Sequence, residues 1–378
     1  MQFNRRSLLA AGGLISALVL IIVAIVASGG DDGEGDLDAG GTTTTTTSTT
    51  VESTTTTSTT TLPDLPIAPL TGLFLEADSD VVEQPAIMVK ISNNDNESLK
   101  ALTGIDQADV VIEERIEDRA TRFAAIFHTN LPTEVGAVRS GRPADIDLMA
   151  NLNQPLFVFS GAFSSVLGDI NRFAREGGAV LVVDDGGGVN ITRDDVNLNR
   201  PDNLFADLPF LLDKFGEGAG AATPIFEFLG DDSSQSSAGV AGEAVTVRGR
   251  DIVSFVWDSA RGYVRVQDGV VHITSEQIPL VTDNLVVMET IYTPSSYDPR
   301  NVDADTLGRG PVSVLIGGER FEGEWVREAA TDPYTFVDAG GSPILLAPGR
   351  TWLTLVPSNS YDFIVDPEIA ALVLGSEG

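Results

Sequence analysis

The stretch Val138-Arg139-Ser140-Gly141-Arg142-Pro143-Ala144-Asp145-Ile146 sets two arginines close together in an acidic chain. It follows a run that reads as a strand and leads into one that reads as a helix. Guanidinium forks, a serine hydroxyl and the free N–H groups of a helix start together suit a phosphate, sulfate or carboxylate. The plainer alternative is internal pairing of Arg139 and Arg142 with Glu113, Asp145 or Asp147. The spacing is not that of a P-loop, since G-x-x-x-x-G-K-S/T is absent. Glu113-Glu114-Arg115 closes another strand-like run. Adjacent strand residues point to opposite faces, so the two glutamates do not face each other, and Arg122 is the cation expected beside one of them. His128 and His272 are the only histidines. A His-rich metal site is therefore impossible, and a lone His at a strand end reads first as structural. Ser160-Gly161 lacks the G-x-S-x-G elbow. Asp184-Asp185 and Asp194-Asp195 read as solvated loop carboxylates rather than cation ligands. Neither metal nor cofactor is expected.

These side chains need a scaffold, and the hydrophobic pattern supplies one. Ala86–Ile91, Val110–Glu113, Phe123–His128, Val135–Arg139, Leu156–Ser160 and Val180–Val183 read as strands. Several are apolar at consecutive positions, as strands buried on both faces are. Pro143–Leu152 and Ser164–Arg175 read as helices, the second stopped by Gly177-Gly178, and Leu208–Phe215 as a short one. After a Gly/Ala/Ser-rich stretch at 216–242 the pattern turns to β. Its strands are Val245–Val247, Ile252–Trp257, Gly262–Gln267, Val270–Ile273, Asn284–Tyr292, Gly310–Leu315, Gly323–Arg327, Thr335–Val337 and Thr351–Val356. Asp268-Gly269 is a hairpin turn signal. Asp366–Leu374 is a short apolar helix or a frayed tail. The fold class is α/β or α+β, an N-terminal mixed-sheet α/β lobe followed by a β-rich C-terminal lobe. The divisions are 1–30 signal anchor, 31–65 Thr/Ser-rich spacer, 66–215 N-terminal domain, 216–242 linker or long loop, 243–358 C-terminal domain and 359–378 tail.

The N-terminal segment gives the protein its address. Arg5 and Arg6 precede an uncharged run, Leu8–Ala27, long enough for a bilayer core of roughly 30 Å. The positive-inside rule puts the arginines in the cytoplasm and everything after the run outside. A retained single-pass anchor is favoured over cleavage, because the run exceeds a signal h-region and Ala27-Ser28-Gly29 is a poor cleavage site. Thr42–Thr61 is almost wholly Thr and Ser, too polar to fold, and reads as a solvated tether. The chain has 55 acidic and 23 basic residues, a formal charge of −32. That balance disfavours nucleic acid, whose phosphates need a basic surface. The absence of cysteine excludes disulfides, thiolate catalysis and a lipobox.

Seven motifs occur in order: Pro69–Gly72, Ala86–Asn93, Gln107–Glu114, Thr121–His128, Val135–Asp147, Asn199–Phe205 and Leu346–Trp352. Together they resemble the YerB-like family of exported Gram-positive proteins, whose two parts are domains of unknown function. The resemblance spans about residues 66–357 and implies export, but no enzymatic activity. Lipoprotein relatives carry a lipobox Cys that this chain lacks, and often read His-Asn where it has Asp202-Asn203. The family's polar motif positions map to Asn93, Glu113, Glu114, Arg122, His128, Arg139, Ser140, Arg142 and Asp145. The resulting expectation is a membrane-anchored extracytoplasmic protein. It would bind an anionic cell-envelope ligand, peptidoglycan or a phosphorylated glycan, through an arginine-lined cleft in which Arg122 orients Glu113 or Glu114. One alternative is an envelope hydrolase or transferase using a Glu with His128 or His272. Another is a scaffold that docks on membrane protein partners through its β-rich half.

Overall fold

Both halves of the chain build one mixed sheet. The computed structural model describes residues 65–375 apart from 94–98, 185, 187, 195–196, 231–232 and 296–300. The signal anchor, the Thr/Ser tether, Asp185 and Asp195 lie outside these residues. Residues 61–378 form one compact unit. Its first half carries β1 (Ile87–Asn93), β2 (Val110–Arg115), β3 (Thr121–Phe127), β4 (Val135–Gly136), β5 (Leu156–Phe159), β6 (Val180–Val183), β7 (Thr192–Arg193) and β8 (Leu204–Ala206). The second carries β9 (Val240–Ala241), β10 (Ala244–Arg248), β11 (Ile252–Asp258), β12 (Gly262–Gln267), β13 (Val270–Val271), β14 (Val281–Thr282) and β15 (Asn284–Glu289). It continues with β16 (Tyr292–Pro294), β17 (Val302–Ala304), β18 (Gly308–Ile316), β19 (Glu319–Arg327), β20 (Thr335–Val337), β21 (Thr351–Val356) and β22 (Tyr361–Asp362).

The main sheet runs β20-β19-β18-β15-β21-β2-β3-β1-β5-β6, with β9 on β19. Strand β21 from the far end of the sequence lies parallel to β2, Thr351 opposite Val110 and Thr354 opposite Glu113. This seam joins the two halves. Along it β15, β21, β2, β1, β5 and β6 point the same way, β3 being antiparallel to both of its neighbours.

The sheet is covered on both faces, which explains the runs of apolar residues in its central strands. Every residue of β1, β5 and β21 is buried. One face packs on the helices Asp145–Met149 and Ser164–Arg175, through Leu148, Met149, Val166 and Ile170, and farther along on Phe226 and Leu346. The other face packs on a six-stranded sheet, β13-β12-β11-β10-β22 with β14 on β12, through Val245, Phe255 and Tyr263, and on the helix Leu208–Phe215. Asp207 starts that helix by accepting from the Phe210 N–H, with Pro209 in the first turn.

Several expectations need correction. Val135–Arg139 is a strand only over Val135–Gly136, with Val138 forming a single bridge to Ile91. The helix read over Pro143–Leu152 is the five residues Asp145–Met149. The stretch 216–242 contributes core: Ile225 and Phe226 are fully buried, and Phe226 rests on Tyr334 and Phe336. The Asp268-Gly269 hairpin is as expected, with both residues at positive φ between paired Gln267 and Val270. At the end of the chain Pro367–Leu374 is helical, capped by Asp366. Among the described residues no helix is long and apolar enough to cross a membrane.

Candidate functional site

The polar residues gather at the carboxyl ends of β1, β2 and β5, where ligands reach a sheet of parallel direction. Glu113 and Glu114 point to opposite faces there, so the rim carries two separate clusters.

The first lies on the helical face. Lys90 is fully buried in β1 and holds two carboxylates, Glu114 through a very short contact and Asp145 at 2.7 Å. Burial pushes the Glu114 carboxyl up, against the pull of Lys90. Three arginines ring this group. Arg139 binds Asp202 at 2.5 Å and donates to Ser92 Oγ at 3.3 Å. Arg142 binds Glu117 at 2.8 Å. Arg122, 2 % exposed, has no carboxylate within ion-pair distance among the described residues; its Nη1 donates to the Ser140 carbonyl at 3.1 Å, and its Nε has no partner there. Burial, then the charges of Arg142 and Arg139, pull its guanidinium down to about 9, so it stays protonated at neutral pH. Among the described residues Lys90 has two acids while Arg122 has none. That uneven distribution leaves a buried guanidinium able to take one more acceptor.

Two expected details change. Arg122 does not orient Glu113 or Glu114. Nor is there a free helix N-terminus, because the helix is short and the Arg142 N–H is taken by Asp145 Oδ2 at 2.7 Å. Internal pairing does occur, but with Asp202 and Glu117 rather than Glu113 or Asp147. Asp202 thus serves as the counter-charge to Arg139.

The second cluster lies under the six-stranded sheet. Asn93 Nδ2 donates to Thr121 Oγ1 at 2.7 Å, and Thr121 Oγ1 donates to Glu113 Oε1 at 2.8 Å. The same oxygen accepts from Arg265 Nη2 at 2.8 Å, and Oε2 accepts from Trp352 Nε1 at 3.1 Å. Arg265, fully buried, also donates to Gln267 Oε1 at 2.8 Å and, by a very short contact, to His272 Nδ1. Both Glu113 oxygens are therefore committed.

Burial, then the Arg265 charge, holds the His272 imidazole well below its ordinary value. The folded protein keeps it neutral, whereas the unfolded chain takes a proton near pH 6.5. Stability is therefore expected to fall as pH drops below about 6.5, by up to about 1.4 kcal/mol per pH unit from this group. Urea unfolding at pH 7.5 and 5.5 checks this, with a flatter response in His272→Gln as the expected outcome.

His128 joins neither cluster. It follows the far end of β3, about 20 Å along the strand from Arg122. Its N–H donates to Asp109 Oδ2 at 2.5 Å, and its ring Nε2 lies 3.2 Å from the Gln84 carbonyl. Asp184 pairs with Arg193 at 2.7 Å. Among the described residues no three His, Asp or Glu side chains are grouped to hold a metal ion. Lys90, Glu117 and Arg265 were missed from sequence. Lys90 alone carried a signal, as a charge inside a strand apolar on both faces, where it must be paired.

Two family models match the chain: the N-terminal domain of a protein of unknown function, DUF3048, over residues 70–220, and the corresponding C-terminal domain over residues 244–353. A Bacillus subtilis (strain 168) protein named "Putative lipoprotein YerB" is 26% identical over 299 residues, 77% of this chain and 86% of that one. The crystal structure of YerB from Bacillus subtilis superposes with a TM-score of 0.66 at 24% identity, covering 79% of this chain and 99% of that chain, a likeness of fold. With its two halves matched in order by the two halves of one family, and with the YerB-like motifs in the same segments, the chain belongs to the DUF3048 family.

Proposed function

We propose that this is an exported, membrane-tethered protein of the cell envelope that binds an anionic envelope polymer at the Arg122–Arg139–Arg142 cluster. The observation that carries the reading is Arg122: a buried guanidinium with no carboxylate partner among the described residues, flanked by two further arginines. A phosphate or carboxylate of peptidoglycan or a phosphorylated glycan would supply the missing acceptor through a guanidinium fork. Part of Arg139 and Ser140 faces solvent, which gives such a group a way in. Export is supported by the relative named as a lipoprotein. Since this chain has no cysteine to carry a lipid, the apolar run Leu8–Ala27 takes the role of anchor. Acid/base hydrolysis is less favoured, because Glu113 is held on both oxygens and His272 faces a guanidinium.

The test is co-sedimentation of the full chain, in detergent, with purified sacculi at low and moderate salt. Salt-sensitive binding is expected, weakened at least about tenfold in Arg139→Ala plus Arg142→Ala, since each lost charged hydrogen bond is worth about 1.5–3 kcal/mol. Unchanged binding by a folded double variant would exclude the arginine cluster as the site.

A further inference from the structure

We propose a second anion-binding site across the β2–β3 turn from the first, taking a phosphate-type oxyanion between Arg115, Arg119, Arg248 and Arg250. These four residues line one cavity of about 40 Å³ between the carboxyl ends of β2 and β21 and the β10–β11 turn. That is room for a few waters or one small anionic group. Four of the 23 basic residues of a chain with formal charge −32 converge there.

The acids nearby pair two of the four and leave Arg115 and Arg119. Of the two carboxylates lining the cavity, Glu113 is already held by Arg265, and Asp251 sits 3.4 Å from Arg250 in a loose, exposed contact. Arg248 is paired with Asp362 at 2.5 Å and contributes charge at the edge of the cavity. Among the described residues Arg115 and Arg119 have no carboxylate within ion-pair distance, and the Arg115 Nε is buried without a partner. The walls are held in place by main chain, the Arg250 N–H donating to the Arg119 carbonyl at 3.0 Å and the Arg248 N–H to the Ser360 carbonyl at 2.7 Å. An oxyanion fits such a set because the guanidiniums of Arg115 and Arg119 each offer a planar pair of donors to its oxygens, with Arg250 beside them held only by a 3.4 Å contact.

The turn Glu117–Arg119 separates the two sites, Glu117 facing Arg142 and Arg119 facing this cavity. A polymer with repeated phosphates could engage both. That extension rests on the proposed function, whereas the second site itself does not.

The test is isothermal titration of the full chain, in detergent and low salt, with inorganic phosphate. The variant is Arg119→Gln plus Arg250→Gln; both side chains are exposed, and an unchanged Tm confirms its fold. Arg139→Ala plus Arg142→Ala is titrated in parallel. The variant is expected to lose one class of phosphate sites, with affinity there reduced about tenfold or more, while the Arg139/Arg142 variant retains that class. Phosphate binding identical to the parent in the Arg119/Arg250 variant, or no phosphate binding by the parent, would overturn the second site. Loss confined to the Arg119/Arg250 variant would support it and count only against the first site.

Discussion

Lys90→Met is expected to cost about 3–5 kcal/mol of stability at neutral pH, the usual penalty for removing one partner from a buried ion pair. The substitution keeps the volume and the strand, so the loss is electrostatic. It leaves Glu114 and Asp145 facing each other in a site where both are almost wholly buried. Burial already pushes the Glu114 carboxyl up while Lys90 is present, and Asp145 pushes the same way. Without Lys90 the carboxyl rises further, so the folded state takes up a proton that the unfolded chain takes only near pH 4.5. The penalty is therefore greatest above the folded pKa and shrinks as pH falls through it. Urea unfolding at pH 7.5 and 5 measures both the size and the sign. Adding Glu114→Gln to Lys90→Met should recover part of the loss. A cost below about 1 kcal/mol, or one that does not depend on pH, would show that Lys90 does not hold this pair together.

What could be read from the sequence follows from the range of the interaction involved. The strands could be read because a sheet covered on both faces demands apolar residues at consecutive positions, and β6, β12, β20 and β21 have the bounds expected. The helices Ser164–Arg175 and Leu208–Phe215 were equally legible, from spacing and caps. Strand order was not legible. No local signal tells Thr351–Val356 to slot between β15 and β2, because backbone pairing reads no side-chain code across so long a loop. The same holds for the site. The arginines of Arg139–Arg142 stood out by composition, whereas their counter-charges, Asp202 and Glu117, lie 63 residues after and 25 residues before the arginines they hold. Glu113 or Glu114 was expected beside Arg122 on the neighbouring strand, and neither pairs with it. Glu113 faces the other way, to Arg265, 152 residues on. Alternation along β2 sets which face each glutamate enters, and only the packing of the second sheet determines what it meets there.

Arg265→Met is expected to be as damaging, about 3–5 kcal/mol, for a different reason. Arg265 is a buried polar tie between the two sheets. From β12 it reaches Glu113 on β2, and its guanidinium lies among the rings of Phe123 and Trp352, each 5.4 Å away, and Phe255 at 5.9 Å. Methionine would keep much of the contact with those rings. It would leave Glu113 charged and buried, with only Thr121 and Trp352 donating to it, and free His272 Nδ1 of its donor. Glu113→Gln in the same chain removes the stranded charge while keeping an acceptor for Trp352, so the double variant should be more stable than Arg265→Met alone. A double-mutant cycle then measures the coupling, expected at about 1–3 kcal/mol. Amide exchange distinguishes where the damage falls. Faster exchange in β11 and β12, with β1 and β5 still protected, is the expected pattern if Arg265 fastens the six-stranded sheet to the main one. Uniform loss of protection across both sheets would mean instead that the pair stabilises the whole unit and that the two sheets open together.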